Sequence, residues 1–166
     1  LREWKGSPYE GGLRVPAVAV WPGRIPAGET IVAPTGFEDW MPTLLELAGL
    51  AERIPPGGDG VSLAGALEGH DAAPEERILY RELTERRWQA VTDGRWKAVR
   101  QAVAPRRPDR ARPTELYDLG VDPSEAVDVA AAHPAVVARL ENVMGREHLP
   151  HADWPLPFAD ARSGAH

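Results

Sequence analysis

Not one cysteine occurs among the 166 residues. Disulfides and thiolate metal sites are therefore excluded. The compartment stays open, because many exported proteins also lack disulfides. No apolar run approaches the ~20 residues that a spanning helix needs, so no transmembrane segment is expected. A concentrated basic surface is missing too: 25 acidic residues outweigh 19 basic ones, for a formal net charge of −6. That balance argues against nucleic acid as a partner, since a phosphate backbone needs clustered positive charge. The one basic cluster, Arg106, Arg107, Arg110 and Arg112, sits among Pro105, Pro108 and Pro113 and reads as a solvated loop. The opening Leu1-Arg2-Glu3-Trp4-Lys5 has no methionine, no apolar leader and no cleavage site, and reads as a cut through a longer chain. Metal-ligand spacing is also lacking. His148 and His151 stand three apart near Asp153, but Pro150 interrupts any helix and no third ligand follows.

What is present suits a loop-rich globular chain. The hydrophobic fraction of 43% supports a core, while 16 glycines and 17 prolines keep the elements short. Residues 15–21, Val-Pro-Ala-Val-Ala-Val-Trp, are apolar on both alternating faces and predict a strand buried on both sides. Residues 38–48 predict a helix with Asp39 as N-cap, Gly49 as its stop, and an apolar face of Met41, Leu44, Leu45 and Ala48. One or two helical turns fit 62–67. From residue 77 the pattern changes to strands at 78–82, 88–92, 95–100 and 115–119, with a long loop over 104–113. Asp93-Gly94 predicts a two-residue type I′ hairpin that sets Val91 opposite Trp96 and Trp88 opposite Val99, with both faces covered. Residues 133–147 give the clearest helix, with Pro134 at its first position and Val136, Val137, Leu140, Val143 and Met144 as its stripe. Three prolines make 148–166 an extended tail. Trp21, Trp40 and Trp96 lie in core-patterned segments, and His133 starts a helix.

Three stretches carry a resemblance. The first is Lys5-Gly6-Ser7-Pro8-Tyr9-Glu10-Gly11-Gly12-Leu13-Arg14-Val15-Pro16, running into Trp21-Pro22-Gly23. The second is Asp39-Trp40-Met41-Pro42-Thr43-Leu44-Leu45-Glu46-Leu47-Ala48-Gly49, followed by Asp59-Gly60-Val61-Ser62-Leu63. The third is Gly94-Arg95-Trp96-Lys97, then Glu115-Leu116-Tyr117-Asp118-Leu119, then Asp122-Pro123-Ser124-Glu125. In this order they resemble the C-terminal portion of the type I sulfatases, within the alkaline-phosphatase-like superfamily, over about residues 5–147.

The resemblance implies an α/β fragment of the alkaline-phosphatase-like fold. Residues 1–70 would end the main catalytic α/β domain, 77–147 would form a small C-terminal α+β subdomain with an antiparallel sheet and one long helix, and 148–166 would be the tail. It implies a hydrolase of sulfate esters that works through a formylglycine and a divalent cation, usually calcium. Both lie upstream in the family. This sequence has no Cys/Ser-x-Pro-x-Arg motif, so the nucleophile and metal ligands are expected from a missing N-terminal lobe, and the chain alone is expected to be inactive. The family's sulfate-contacting lysine falls on Lys5. Trp4 beside it and His70 in a polar loop are the further candidates for substrate contact. Glu10 and Arg14 read as a structural ion pair that fixes Gly11-Gly12. Where family members carry an aromatic-Glu-His segment, this chain has Arg81-Glu82-Leu83-Thr84, so the resemblance does not carry a direct substrate contact over to this hairpin. Two alternatives stay open: a non-catalytic, stand-alone binding module on the same scaffold, and a related phosphate or phosphonate ester hydrolase.

Overall fold

A computed structural model describes residues 1–70, 77–104 and 107–163. The chain divides into two compact units, Leu1–Val15 with Tyr80–His166, and Pro16–Leu79. The first fifteen residues therefore group with the C-terminal sheet rather than with the segment that follows them. No described helix is long and apolar enough to cross a membrane.

The sheet has strands β1 (Leu79–Leu83), β2 (Trp88–Thr92), β3 (Trp96–Ala104), β4 (Arg107–Ala111) and β5 (Glu115–Asp118). Nine residues long, β3 is shared along one edge. Its first half pairs antiparallel with β5, Trp96 opposite Asp118 and Val99 opposite Glu115. Its second half pairs with β4, Ala102 opposite Ala111 and Ala104 opposite Arg107. Strand alternation then sorts the side chains. Val91, Ala98 and Leu116 face helix α4 (Pro134–Glu147), which buries Leu140, Val143 and Met144 against them as its stripe predicts. Trp88, Ala90, Val99 and Tyr117 face the other way and pack with Tyr9. Both faces are covered, as the hairpin pattern required.

Two expectations about this unit are corrected. The hairpin pairs Thr92 with Lys97 and Val91 with Ala98, two residues from the expected register. Asp93 is the cause. Its Oδ1 accepts the N–H groups of Arg95 (3.1 Å) and Trp96 (2.7 Å), so Gly94 and Arg95 form the tip. A slip of two leaves every side chain on its own face, which is why the core prediction survived it. The basic stretch is also more ordered than a solvated loop, because β4 occupies Arg107–Ala111; Pro105 and Arg106 lie outside the described residues.

The tail is a third correction. Helix α5 (Pro157–Ser163) replaces extended chain, and Leu156, Phe158 and Ala159 bury themselves against Ala102 and Ala111; residues 164–166 lie outside the described set. His148 is buried at the end of α4, with Nδ1 2.8 Å from Glu82 Oε2 and Nε2 2.8 Å from Asp160 Oδ1. His151 is exposed and accepts the N–H of Asp153. The two histidines are thus engaged separately.

In the unit Pro16–Leu79, helix α2 (Trp40–Leu47) forms where expected, and its apolar face is largely the exposed one. Pro42, Thr43 and Leu47 face inward, while Met41 and Leu44 are exposed. Polar anchoring explains this. Thr43 Oγ1 donates to Asp39 O (2.6 Å) and accepts the N–H of Leu63 (2.9 Å), and Asp39 Oδ1 accepts the N–H of Val61 (2.9 Å). Asp39 also reaches back to the N–H of Gly36 and pairs with the buried Arg77, so it braces the preceding turn instead of capping α2. A one-turn helix, α3, follows at Ala64–Leu67.

Residues 15–21 join no sheet among the described residues, and Val18 and Val20 are 83% and 80% exposed. The reason is topological: every described strand comes from residues 79–118, so this apolar run finds no neighbour to pair with. Trp21 is likewise only half covered, with the Arg24 guanidinium 4.5 Å from its ring.

Candidate functional site: the Lys5 loop

The loop that carries Lys5 is closed by glycine. Gly11 N–H donates to Arg2 O (2.9 Å), and Ser7 N–H donates to Trp4 O (3.1 Å). A Cβ on Gly11 would lie 2.2 Å from Glu3 O, and one on Gly12 would lie 2.4 Å from Ser7 O and 2.8 Å from Trp4 O. No wider residue fits either position. Gly6 takes φ +87°, and its carbonyl accepts the indole N–H of Trp88 (3.1 Å), which ties the loop to the start of β2.

A buried charge cluster anchors the other end. Lys97 is 1% exposed, and its Nζ lies 2.8 Å from both Glu10 Oε1 and Glu125 Oε1. Glu125 Oε2 accepts the N–H of Glu10 (2.6 Å), where the one-turn helix α1 (Glu10–Leu13) begins. A buried ammonium persists only when paired and hydrogen-bonded, and here one lysine and one backbone N–H serve two carboxylates. Arg14 adds a longer, exposed pair to Glu10 at 3.8 Å. Glu10 is therefore a structural residue, in keeping with its sequence reading. The cluster joins all three parts of the unit that the motifs mark: the N-terminal loop, the hairpin and the turn after β5.

Aromatic contacts complete the seat. The Arg2 guanidinium lies 3.7 Å from the Tyr9 ring centroid and donates to Tyr117 Oη (2.6 Å). Tyr9 Oη donates to Glu115 Oε2 (2.7 Å). Burial, and then the Glu115 carboxylate, hold the hydroxyls of Tyr9 and Tyr117 well above the usual phenol range.

On this seat Trp4 and Lys5 are adjacent and exposed, and Lys5 has no ion-pair partner among the described residues. His70 belongs to the other unit, where it is exposed with Nδ1 3.8 Å from Glu68 Oε2. Two hollows are formed elsewhere. One of about 680 Å³ runs along α2 beside Phe37, Met41 and Leu44, and one of about 490 Å³ lies at Arg110, Arg112 and Phe158. Trp4, Lys5 and His70 line neither. Among the described residues no group of three or more His, Asp or Glu side chains could hold a metal ion. These residues do not fit the implied calcium.

Sequence reasoning missed Lys97, Glu125 and Arg2. A lysine in a strand reads as solvent-facing. The signal that could have found Lys97 was the expectation of two covered sheet faces, which leaves a strand lysine no route to water unless it is paired.

No family model matches this chain. Human arylsulfatase D is 32% identical over 180 residues, covering 91% of this chain and 30% of that protein. Human arylsulfatase A is 34% identical over 164 residues, covering 86% and 32%. The chain therefore spans about a third of the length of the curated relatives it matches. The crystal structure of yidJ from Bacteroides fragilis, described as a sulfatase, shares the fold at a TM-score of 0.60 and 17% identity, covering 76% of this chain and 27% of that one. The motifs in their order, the antiparallel sheet with α4 on one face, and these likenesses agree: the chain belongs to the sulfatase family, and its fold is that of the family's C-terminal portion.

Proposed function

We propose that this chain is the C-terminal part of a sulfuric ester hydrolase and that Lys5 is its contact with the sulfate group. The observation that carries the reading is the state of Lys5, an exposed ammonium without a counter-ion on a loop that two glycines and a buried charge cluster hold in one shape. A compact ammonium can neutralise sulfate oxygens and stabilise the charge growing on the leaving oxygen. Trp4 offers a flat apolar face beside it for a sugar or aryl ring, and His70 is a second candidate contact. The formylglycine nucleophile and the calcium ligands would come from an N-terminal lobe outside these 166 residues, and the sulfate ester would sit between that lobe and Lys5.

Two measurements test this. The isolated chain, supplied with an aryl sulfate and calcium, is expected to give no turnover above the buffer blank; turnover would remove the need for another lobe. In the intact enzyme, Lys5→Ala is expected to lower kcat by about 10²–10³-fold, the scale of losing one charge-stabilising donor. An unchanged kcat would remove Lys5 from the site.

A second reading has one observation in its favour. The unit formed by Leu1–Val15 and Tyr80–His166 covers both faces of its own sheet, as a stand-alone, non-catalytic binding module would. A reading frame that starts at this chain and encodes no catalytic lobe would favour it.

A further inference from the structure

The β1–β2 turn lies beside the Lys5 loop. Arg87 N–H donates to Thr84 O (3.1 Å) to close the turn, and the next residue, Trp88, holds the carbonyl of Gly6. The Arg86 side chain consequently lies over Gly6. A Cβ built there would stand 2.9 Å from Arg86 Nε and 3.0 Å from Arg86 Cζ. Glycine at position 6 thus serves two purposes, a backbone with φ +87° and room for a guanidinium. Gly6 is the immediate neighbour of Lys5, so two cations flank one glycine.

Both Lys5 and Arg86 are exposed, and neither has an ion-pair partner among the described residues, in a chain with 25 acidic residues and a net charge of −6. Two like charges around one glycine raise the local positive potential, and an anion that reaches both would relieve it. Charge counting limits what that anion is. One sulfate ester carries one negative charge, which Lys5 matches. A planar guanidinium beside it suits a second sulfate or a carboxylate through paired hydrogen bonds.

We propose that Arg86 is a second anion-binding side chain of the Lys5 loop, and that the pair selects substrates bearing two anionic groups, such as a sugar with two sulfates or with a sulfate and a carboxylate. This rests on the reading of Lys5 as a sulfate ligand. Trp4, exposed and next to Lys5 in the chain, would offer its apolar face to the sugar ring.

The test is an NMR titration of the full 166-residue chain with inorganic sulfate, a monosulfated monosaccharide and a disulfated monosaccharide, at matched ionic strength. The variants are Arg86→Gln, Arg86→Lys and Lys5→Gln, with unshifted β2 and β3 amides as the check on folding. The wild type is expected to bind the disulfated sugar about tenfold more tightly than the monosulfated one, the scale of one added charged hydrogen bond. Arg86→Gln is expected to bring that ratio close to one, and Arg86→Lys to restore part of it. An unchanged ratio in Arg86→Gln, with weakened binding in Lys5→Gln, overturns the inference and leaves the Lys5 reading standing. Lys5→Gln binding all three probes like the wild type overturns that reading and the pair with it. No preference in the wild type overturns the inference as well.

Discussion

In the unit formed by Leu1–Val15 and Tyr80–His166, Val91, Ala98, Leu116, Leu140 and Met144 are all sealed from water. In the unit Pro16–Leu79, Val18, Val20, Val32, Phe37, Met41 and Leu44 face it. The chemistry of the side chains is the same in both, and only the supply of partners differs. Among the described residues, the first unit has five strands and the helices α1, α4 and α5 to close over one another. The second has short helices and a network of polar anchors around Asp39, Thr43 and Arg77, which fixes its backbone but buries few of its apolar residues, Leu47 and Ala64 among them. Exposed apolar groups on this scale mark a surface that meets something else. One unit closes a core between sheet and helices, and the other leaves most of its large apolar residues exposed.

The strongest way to break the comparison is to open the first unit from inside. Lys97→Met leaves the Glu10 and Glu125 carboxylates facing each other, and is expected to cost about 3–5 kcal/mol in urea unfolding, as removal of one member of a buried ion pair does. Adding Glu10→Gln and Glu125→Gln is expected to recover much of that loss. A Lys97→Met protein as stable as the wild type would show that the cluster is solvated. Leu140→Ala, with its cavity between α4 and the sheet, is expected to cost about 2–5 kcal/mol by the same measurement. Gly12→Ala presses a methyl group onto the carbonyls of Ser7 and Trp4, and is expected to cost about 1–3 kcal/mol and to disturb the amides of residues 4–7 before those of β3.

The units should also fail at opposite ends of the pH scale. Burial opposes ionisation of Asp39, but Arg77 and the N–H groups of Gly36 and Val61 outweigh it and hold its carboxyl below the usual range. Its contribution is complete above the unfolded pKa of ~4 and is lost as pH falls through the lower folded value. The hydroxyls of Tyr9, Tyr80 and Tyr117 are raised by burial, and then by the carboxylates of Glu115 and Glu82. Their contribution is complete below the unfolded pKa of ~10 and is lost as pH rises toward the folded values. Residue-resolved hydrogen exchange should therefore show α2 loosening first in acid and the sheet loosening first in alkali; the reverse order would contradict both assignments. The smallest expected effect is Phe37→Ser with Val18→Ser, within about 0.5 kcal/mol in stability. The same pair should reduce self-association in light scattering, since it removes apolar groups that are largely exposed among the described residues.

Much of the first unit was legible in the sequence, because alternation and the 3.6-residue stripe report burial directly when the partner lies in the same chain. The stripe of α4 and the apolar faces of β2, β3 and β5 fall in this class. The apolar face of α2 is legible in the sequence as a face, and its exposure is not. Periodicity says which side of a helix is apolar, and it does not say whether anything in this chain is there to meet it. The hairpin register turned on a single side chain, Asp93, whose capture of two N–H groups competes with the turn its own backbone could have made. The tail went wrong because three prolines outweighed Leu156 and Phe158. At the site, Lys5 was visible only through the motif around it. Arg86 was not visible at all, since its position over Gly6 depends on Trp88 reaching across 82 residues of sequence.

The crowding at Gly11 and Gly12 has an evolutionary consequence. Any substitution there would eject the loop, and any at Gly6 would meet Arg86, so the backbone that presents Lys5 cannot be adjusted in small steps. Positions 4 and 86 are under no such backbone restriction, because both residues are exposed and neither is a glycine held by crowding. Under the anion-binding role proposed for Lys5 and Arg86, a lineage could change its ligand preference by altering positions 4 and 86, while the frame that displays Lys5 stays fixed.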